Sequence, residues 1–353
     1  MSSLASPLLL LVFAAAAAAT WAAGVALSKT TDALDTRLGL GEDLGGIILL
    51  AVAGTLPEIA ITISAAASGH LDLAAGNLIG GIAIQTLVLV VCDFAMADRR
   101  PLTYLVGALT PVLEAMLVVL VVCGVLMGAL LRPSLAIGGV VSPASLAIVI
   151  VWAAGIWVIA RTRKAPRWKV EMPGSRPGRR HRREPMPAAA PHPYTGRSTR
   201  RVVAVFGIAS AVTLVAGVLL QIAGSSLASR WGVNGVIFGA TVLAAATALP
   251  VISSGIGAVR LGDHALAIGD VFGGNAFQVC LFLVADLVAQ RPVLPTAGRL
   301  NSWLAALGVA LTAIYAVGVV VRPMRGWLRI GPDSWLVLVV FAVGVAGLVT
   351  LAR

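Results

Sequence analysis

The sequence predicts an all-α polytopic membrane protein, with ten transmembrane helices arranged as two inverted repeats of five. Three observations lead there. The 353-residue chain is 59% hydrophobic and only 12% charged, which excludes a soluble globular domain. Its apolar runs are long enough to cross a bilayer, which takes about 20 residues. They fall five on each side of one hydrophilic stretch, residues 161–201. Finally, a polar-studded stretch at 50–93 recurs without a gap 193 residues later, at 244–286. An odd number of spans per half requires the second half to enter the membrane upside down relative to the first.

The elements follow in chain order. Residues 7–27 form the first apolar run. No basic residue precedes it and it is long enough to span, so it reads as a helix rather than a signal peptide. A short polar loop is expected at 28–43. The second and third helices share the stretch 50–93 and turn at Ser68-Gly69-His70. Arg99-Arg100-Pro101 closes the third helix. The fourth is expected at 102–126, with Pro111 and Glu114 inside it, and the fifth at 141–160. Residues 161–201, rich in Pro, Arg and Gly, lack apolar periodicity and read as a linker. The chain thus divides at 1–160, 161–201 and 202–353. Helices six to ten are expected at 202–222, 233–259, 265–287, 301–321 and 334–351.

Charge sets the orientation. The net charge of +11 would suit a nucleic-acid partner, but thirteen of the 26 basic residues lie within 161–201. A basic loop beside membrane spans is an orientation signal and a lipid-headgroup contact. With the N-terminus outside, 21 Lys and Arg fall on the cytoplasmic side and 5 outside, as the positive-inside bias requires. The expected partners are membrane lipid and inorganic cations, with no nucleic acid. The expected location is the cell (plasma) membrane, and the oligomeric state stays open, a monomer included. Cys92, Cys123 and Cys280 sit in apolar runs without metal-ligand spacing, so they read as small buried side chains.

The two matched stretches carry the chemistry. Leu56-Pro57 matches Leu249-Pro250, and Gly69 matches Gly262. Gly76, Gly80, Gly81, Gln85 and Asp93 match Gly269, Gly273, Gly274, Gln278 and Asp286. Proline removes one backbone donor, so Pro57 frees the carbonyl of Ala53 and Pro250 that of Ala246. With the hydroxyls of Thr55 and Thr247, these are hard oxygen ligands suited to sodium or calcium. A plain kink would also explain either proline alone. On the next helices, Asn77, Gly81 and Gln85 share one face, as do Asp270, Gly274 and Gln278. The glycines let helices approach closely, whereas the amides and Asp270 need partners at that depth. Glu58 is an acid in an apolar run, and such acids mark ion pathways.

This pattern resembles the paired alpha repeats of the sodium/calcium exchanger (cation/calcium antiporter) family. Each repeat there reads approximately Thr-Ser-Leu-Pro-Glu, then Gly-Asn-x-x-Gly-Ser ending at Asn or Asp. Here the segments are Gly54-Thr55-Leu56-Pro57-Glu58 and Gly76-Asn77-Leu78-Ile79-Gly80-Gly81, ending at Gln85. The second copy reads Thr247-Ala248-Leu249-Pro250-Val251 and Gly269-Asp270-Val271-Phe272-Gly273-Gly274, ending at Gln278. The resemblance implies that the positions of Glu58, Gln85, Val251 and Gln278 surround the central ion. The chain departs from the family at Val251, where the second acid would stand, at Gln278, and at Gly81 and Gly274 in place of serines. One carboxylate balances a monovalent ion or proton, and leaves a divalent ion under-neutralised. Asp270, one turn from Gly274, could supply a second charge.

Glu114, in the expected fourth helix, reads either as a proton-pathway residue or as a structural partner. Asp93 and Asp286 lie at helix ends and are assigned no role. The expected function is a secondary active cation antiporter, moving calcium or a monovalent ion against sodium or protons by alternating access. No cofactor is expected beyond the transported cation. The competing expectation is a non-transporting scaffold or regulator that kept the fold and lost ligands. An enzyme is not indicated, because no His-Glu-x-x-His or Gly-x-Ser-x-Gly motif is present.

The orientation is directly testable. A Thr195→Cys protein should react with an impermeant thiol reagent in inverted vesicles and resist it in intact cells. Labelling from the cell exterior would reverse the topology.

Overall fold

A computed structural model describes residues 5–38, 44–96, 100–164 and 197–352. Most of the expected linker, residues 165–196, lies outside the described residues, as do 39–43 and Arg99. Among the described residues the chain is helical, with no sheet and only two isolated β-bridges. Nine helices there are long and apolar enough to cross a membrane.

The order is α1 (Ser6–Leu38), α2 (Leu44–Gly54), α3 (Leu56–Ala67), α4 (Leu71–Ala95), α5 (Leu102–Leu105), α6 (Thr110–Gly128) and α7 (Pro143–Lys164). After the linker come α8 (Thr199–Arg230), α9 (Gly235–Phe238), α10 (Ala244–Arg260), α11 (His264–Ala289), α12 (Gly298–Val321) and α13 (Pro332–Leu351). A π-helical turn, Gly239–Leu243, joins α9 to α10 without a break.

Four expectations are corrected. Residues 28–38 are helical, not loop, because α1 runs on for 33 residues. The Thr30 hydroxyl folds back onto the Ala26 carbonyl at 2.8 Å, and Arg37 donates to the Arg197 carbonyl at 2.7 Å, tying the end of α1 to the start of α8. The basic residues flanking 161–201 also continue α7 and begin α8. The second expected span is broken into α2 and α3, neither of which crosses a membrane alone. Pro57 is the reason: it sits in the first turn of α3, and Thr55 between the two helices leaves helical geometry at φ −106° and ψ 14°. The expected fourth helix is also broken. Gly107 adopts φ +61°, which only glycine takes without strain, and Pro111 then opens α6 rather than interrupting it.

The bundle has two parts. Helix α4 packs on α10, α11 and α12, while α6 packs on α7, α11 and α12, and one continuous apolar core fills the space among them. Helices α1 and α8 form a long pair lying against α3 and α10, with small cores of their own. Glycine decides the closest approaches. A Cβ at Gly76 would collide with the Val236 carbonyl, and one at Gly80 with Ala240, so α4 lies directly on the backbone of α9 and the π-turn. The matching glycines of α11 behave differently. A Cβ at Gly273 would meet nothing within 4 Å.

The two carboxylates assigned no role are the main staples of the fold. Asp93 Oδ1 accepts from Leu102 N at 2.8 Å, and its Oδ2 accepts from Gly331 N at 2.6 Å and the Ser334 hydroxyl at 2.8 Å. Asp286 Oδ1 accepts from Val293 N at 2.7 Å, and its Oδ2 from Ser142 N at 2.9 Å. Each acid therefore holds the chain that follows it and the N-terminus of a distant helix, α13 or α7. Both are fully buried, and charge-assisted bonds to backbone N–H groups make that tolerable.

The mirrored glycines offer a stability test. Gly80→Ala should cost about 1–3 kcal/mol through overpacking. Gly273→Ala should be neutral or gain about 0.5–1 kcal/mol, because open space surrounds it. Thermal unfolding of the detergent-solubilised proteins reads both.

Candidate functional site

Breaking the second span at Thr55 places Glu58 in the first turn of α3, where the positive end of the helix favours a carboxylate. The side chain is 1% exposed. Gln85, on α4, donates to Glu58 Oε1 at 3.2 Å and with the same nitrogen to Gln278 Oε1 at 3.0 Å. Gln278, on α11, donates in turn to the Leu78 carbonyl at 2.6 Å. A continuous chain of hydrogen bonds thus runs from the α4 backbone through α11 and back through α4 to α3. Gln278 fills the space above Gly81, where any Cβ would strike its amide nitrogen. Glu58 Oε2 has no hydrogen-bond partner among the described residues.

Two threonines flank this chain from unmatched positions of the repeats. Thr55 donates to the Ala51 carbonyl at 2.8 Å, and Thr247 to the Ala244 carbonyl at 3.1 Å, leaving both hydroxyl oxygens free to accept. Thr247 lies beside Glu58. Of the two carbonyl positions freed by proline, Ala53 borders a small cavity described below. Ala246 is buried within α10. Val251 lies against both cavities of the site.

The larger cavity, about 310 Å³, reaches from Thr55 and Gln85 past Gly273, Gly274 and Asp270 to Glu114 and Arg163. It opens at the end of the bundle where α7 meets the basic linker. Glu114 is held there by Arg163, with Nη2 to Oε1 at 2.6 Å. Its second oxygen has no partner among the described residues and would stand 2.8 Å from a Cβ at Gly269. Asp270 stands apart from Glu58. It accepts from the Ser254 hydroxyl at 2.7 Å and borders both the large cavity and the small one, of about 30 Å³, beneath Pro57 and Pro250.

The structure therefore joins Glu58, Gln85 and Gln278 by hydrogen bonds, with Gln278 also donating to the Asn77 backbone carbonyl at 3.4 Å, sets Thr55 and Thr247 around them, and bonds Asp270 to Ser254. Asn77 is 1% exposed, and neither atom of its amide has a partner among the described residues. Three polar residues escaped the sequence reading. Asn275, also fully buried with both amide atoms unpartnered, stands where the first repeat has Ile82. Ser254, one turn past Pro250, holds Asp270. Arg163 read as linker charge rather than as the partner of Glu114. An unmatched polar residue inside a repeat was the available signal for Asn275. Among the described residues, no three His, Cys, Asp or Glu side chains converge to hold a metal ion. Glu58 is the one carboxylate in the hydrogen-bonded group it forms with Gln85 and Gln278.

The Glu114–Arg163 pair gives a clean measurement. Arg163→Gln should destabilise by about 1–3 kcal/mol by leaving a buried carboxylate unpaired. Adding Glu114→Gln should recover most of that loss, a coupling that a double-mutant cycle in thermal unfolding reads directly.

Comparison with known proteins places these features. A family model described as "Sodium/calcium exchanger protein" matches residues 8–163 and 201–352. The inner membrane protein YrbG of Escherichia coli (strain K12) is 25% identical over 256 residues, covering 72% of this chain and 70% of that protein. The candidate antiporter CaxA of Alkalimonas amylolytica is 25% identical over 278 residues, covering 76% and 77%. Among solved structures, the H+/Ca2+ exchanger CAX aligns with a TM-score of 0.66 at 15% identity, covering 97% of this chain and 86% of that one. The sodium-calcium exchanger NCX_Mj aligns with a TM-score of 0.57 at 14% identity, covering 97% and 99%.

Proposed function

The chain belongs to the sodium/calcium exchanger family, and from that premise we propose that it is a secondary active antiporter exchanging one cation against sodium or protons at Glu58. The observation that carries this reading is the Glu58 carboxylate itself. It is buried, with one oxygen on the Gln85 amide and the other without a partner, behind a cavity that reaches the linker end of the bundle. A buried acid left half-satisfied in this way is suited to bind a proton and a cation in turn.

The site favours a monovalent ion by charge. Val251 gives no second carboxylate, and the Gln85 and Gln278 amides contribute only neutral oxygens. A cation entering by the large cavity meets Thr55 and the Gln85 carbonyl oxygen. It must displace the Gln85 amide nitrogen to reach Glu58 Oε1, whereas Oε2 has no partner to displace among the described residues.

The proposed topology has ten spans in two inverted halves, counting α2 with α3 as one crossing. The N-terminus lies outside and the linker in the cytoplasm of the cell membrane. The large cavity then faces the cytoplasm. Closure on the opposite side rests on the contact of Gly76 and Gly80 with Val236 and Ala240. In the outward-open state the roles of the two glycine stripes would exchange. Gly269 and Gly273 would pack against their facing helices as α4 loosens from the π-turn.

Flux in proteoliposomes under imposed sodium, potassium, calcium and proton gradients tests the proposal. Glu58→Gln should abolish coupled exchange while the protein stays folded, because the amide keeps the volume. Acidifying the cavity side should raise the KM for the cation with little change in kcat, since protonated Glu58 no longer attracts it. Val251→Glu should shift preference toward calcium. Normal exchange by Glu58→Gln would move the site elsewhere. Absence of exchange in the wild type under every gradient would favour the scaffold reading.

A further inference from the structure

We propose that the small cavity bordered by Asp270 is a second cation site, separate from Glu58 and built for one dehydrated monovalent ion of sodium size. It rests on the antiporter reading for its purpose, though not for its geometry. The cavity, about 30 Å³, lies where the α1/α8 pair meets α2, α10 and α11, beneath the prolines of both repeats. That volume admits one water-sized occupant.

Its polar lining comes from four helices: Ser28 and Thr31 from α1, Thr213 from α8, Ser254 from α10 and Asp270 from α11. The hydroxyls of Thr31 and Thr213 are buried, at 2% and 0% exposure, and neither has a hydrogen-bond partner among the described residues. Buried hydroxyls on membrane helices ordinarily fold back on the preceding turn. Thr30, next to Thr31, does so at 2.8 and 3.0 Å, and Ser210, three residues before Thr213, does so at 2.8 Å. Thr31 and Thr213 do not, as Thr20, Thr62, Thr103 and Thr312 do not, and what sets these two apart is that both border the same small space.

The donor set then fixes the ligand class. All its groups are oxygens, which suits a hard cation. Asp270 brings the single negative charge of the cavity, and Ser254 holds one of its oxygens at 2.7 Å. Ala53 also borders the space, and its carbonyl has no helical donor because residue 57 is proline. One carboxylate with neutral oxygens neutralises a monovalent ion and leaves a divalent one short of charge. Asp270 also borders the large cavity, which gives the ion a route in.

The test uses the full-length protein in detergent, titrated with sodium chloride against N-methylglucamine chloride at constant ionic strength, with melting temperature as the readout. Sodium should stabilise the wild type. Thr31→Val with Thr213→Val should raise the half-effective sodium concentration tenfold or more, and Asp270→Asn should remove the effect. The corresponding Thr→Ser changes, which keep the hydroxyls, should restore it and so separate ligand loss from misfolding. The same titrations are repeated in a Glu58→Gln background, where sodium held at the first site cannot contribute; there the stabilisation should persist and Asp270→Asn should still remove it. The proposal is overturned by a wild type indifferent to sodium, by valine variants with wild-type titrations, or by loss of the effect in Glu58→Gln alone. Exchange in vesicles with an unchanged titration would remove only this site. A titration that depends on the threonines without exchange would keep the site and remove the antiporter reading.

Discussion

The structure depends on one amide. Gln85 donates to Glu58 and Gln278 at once, and Gln278 closes on the α4 backbone, so three helices share a single chain of donors and acceptors. In hydrocarbon a carboxylate needs such partners, because water does not supply them. The same requirement explains why α3 begins where it does. Pro57 ends α2 early and turns the free N–H groups of a new helix toward the acid, so a break that would weaken a soluble helix here supports a buried charge. Glu58 Oε2 is what that arrangement leaves over.

The two repeats match in sequence and differ in structure. The first breaks at Thr55, whereas the second keeps Pro250 inside a continuous helix and departs from α-helical geometry about two to three turns earlier, in the π-turn at Gly239–Leu243. On one side Gly76 and Gly80 press against that turn, while on the other Gly273 faces open space. Two similar segments thus hold opposite packing states within one molecule. Close packing is bistable rather than gradual, which is the property a two-state carrier needs.

Much of this was legible in the chain. Apolar length and loop charge gave the spans, and the aligned glycines and prolines located the paired segments. Local interruptions were not legible, because Gly107 and Thr55 act through backbone geometry that composition does not display. Roles set by long-range partners were hidden for the same reason. Asp93 looked like a solvated helix end, and only Gly331 and Ser334, more than 230 residues away, make it an anchor. Arg163 belonged by composition to the linker and by contact to Glu114. Asp270 was visible as a charge, but its bond to Ser254 and its place on the second cavity were not.

The anchoring of Asp93 bears on how the protein is made. Helix α4 is synthesised well before the donors for Asp93 Oδ2, which lie at the start of α13. Until α13 is made those two hydrogen bonds are missing, and Leu102 N is the donor at hand for the carboxylate. Asp286 imposes the converse order: its partner Ser142 is already waiting when α11 emerges. Asp93 and Asp286 thus draw their distant donors in opposite chain order, the one from a helix made after it and the other from the start of a helix made before it.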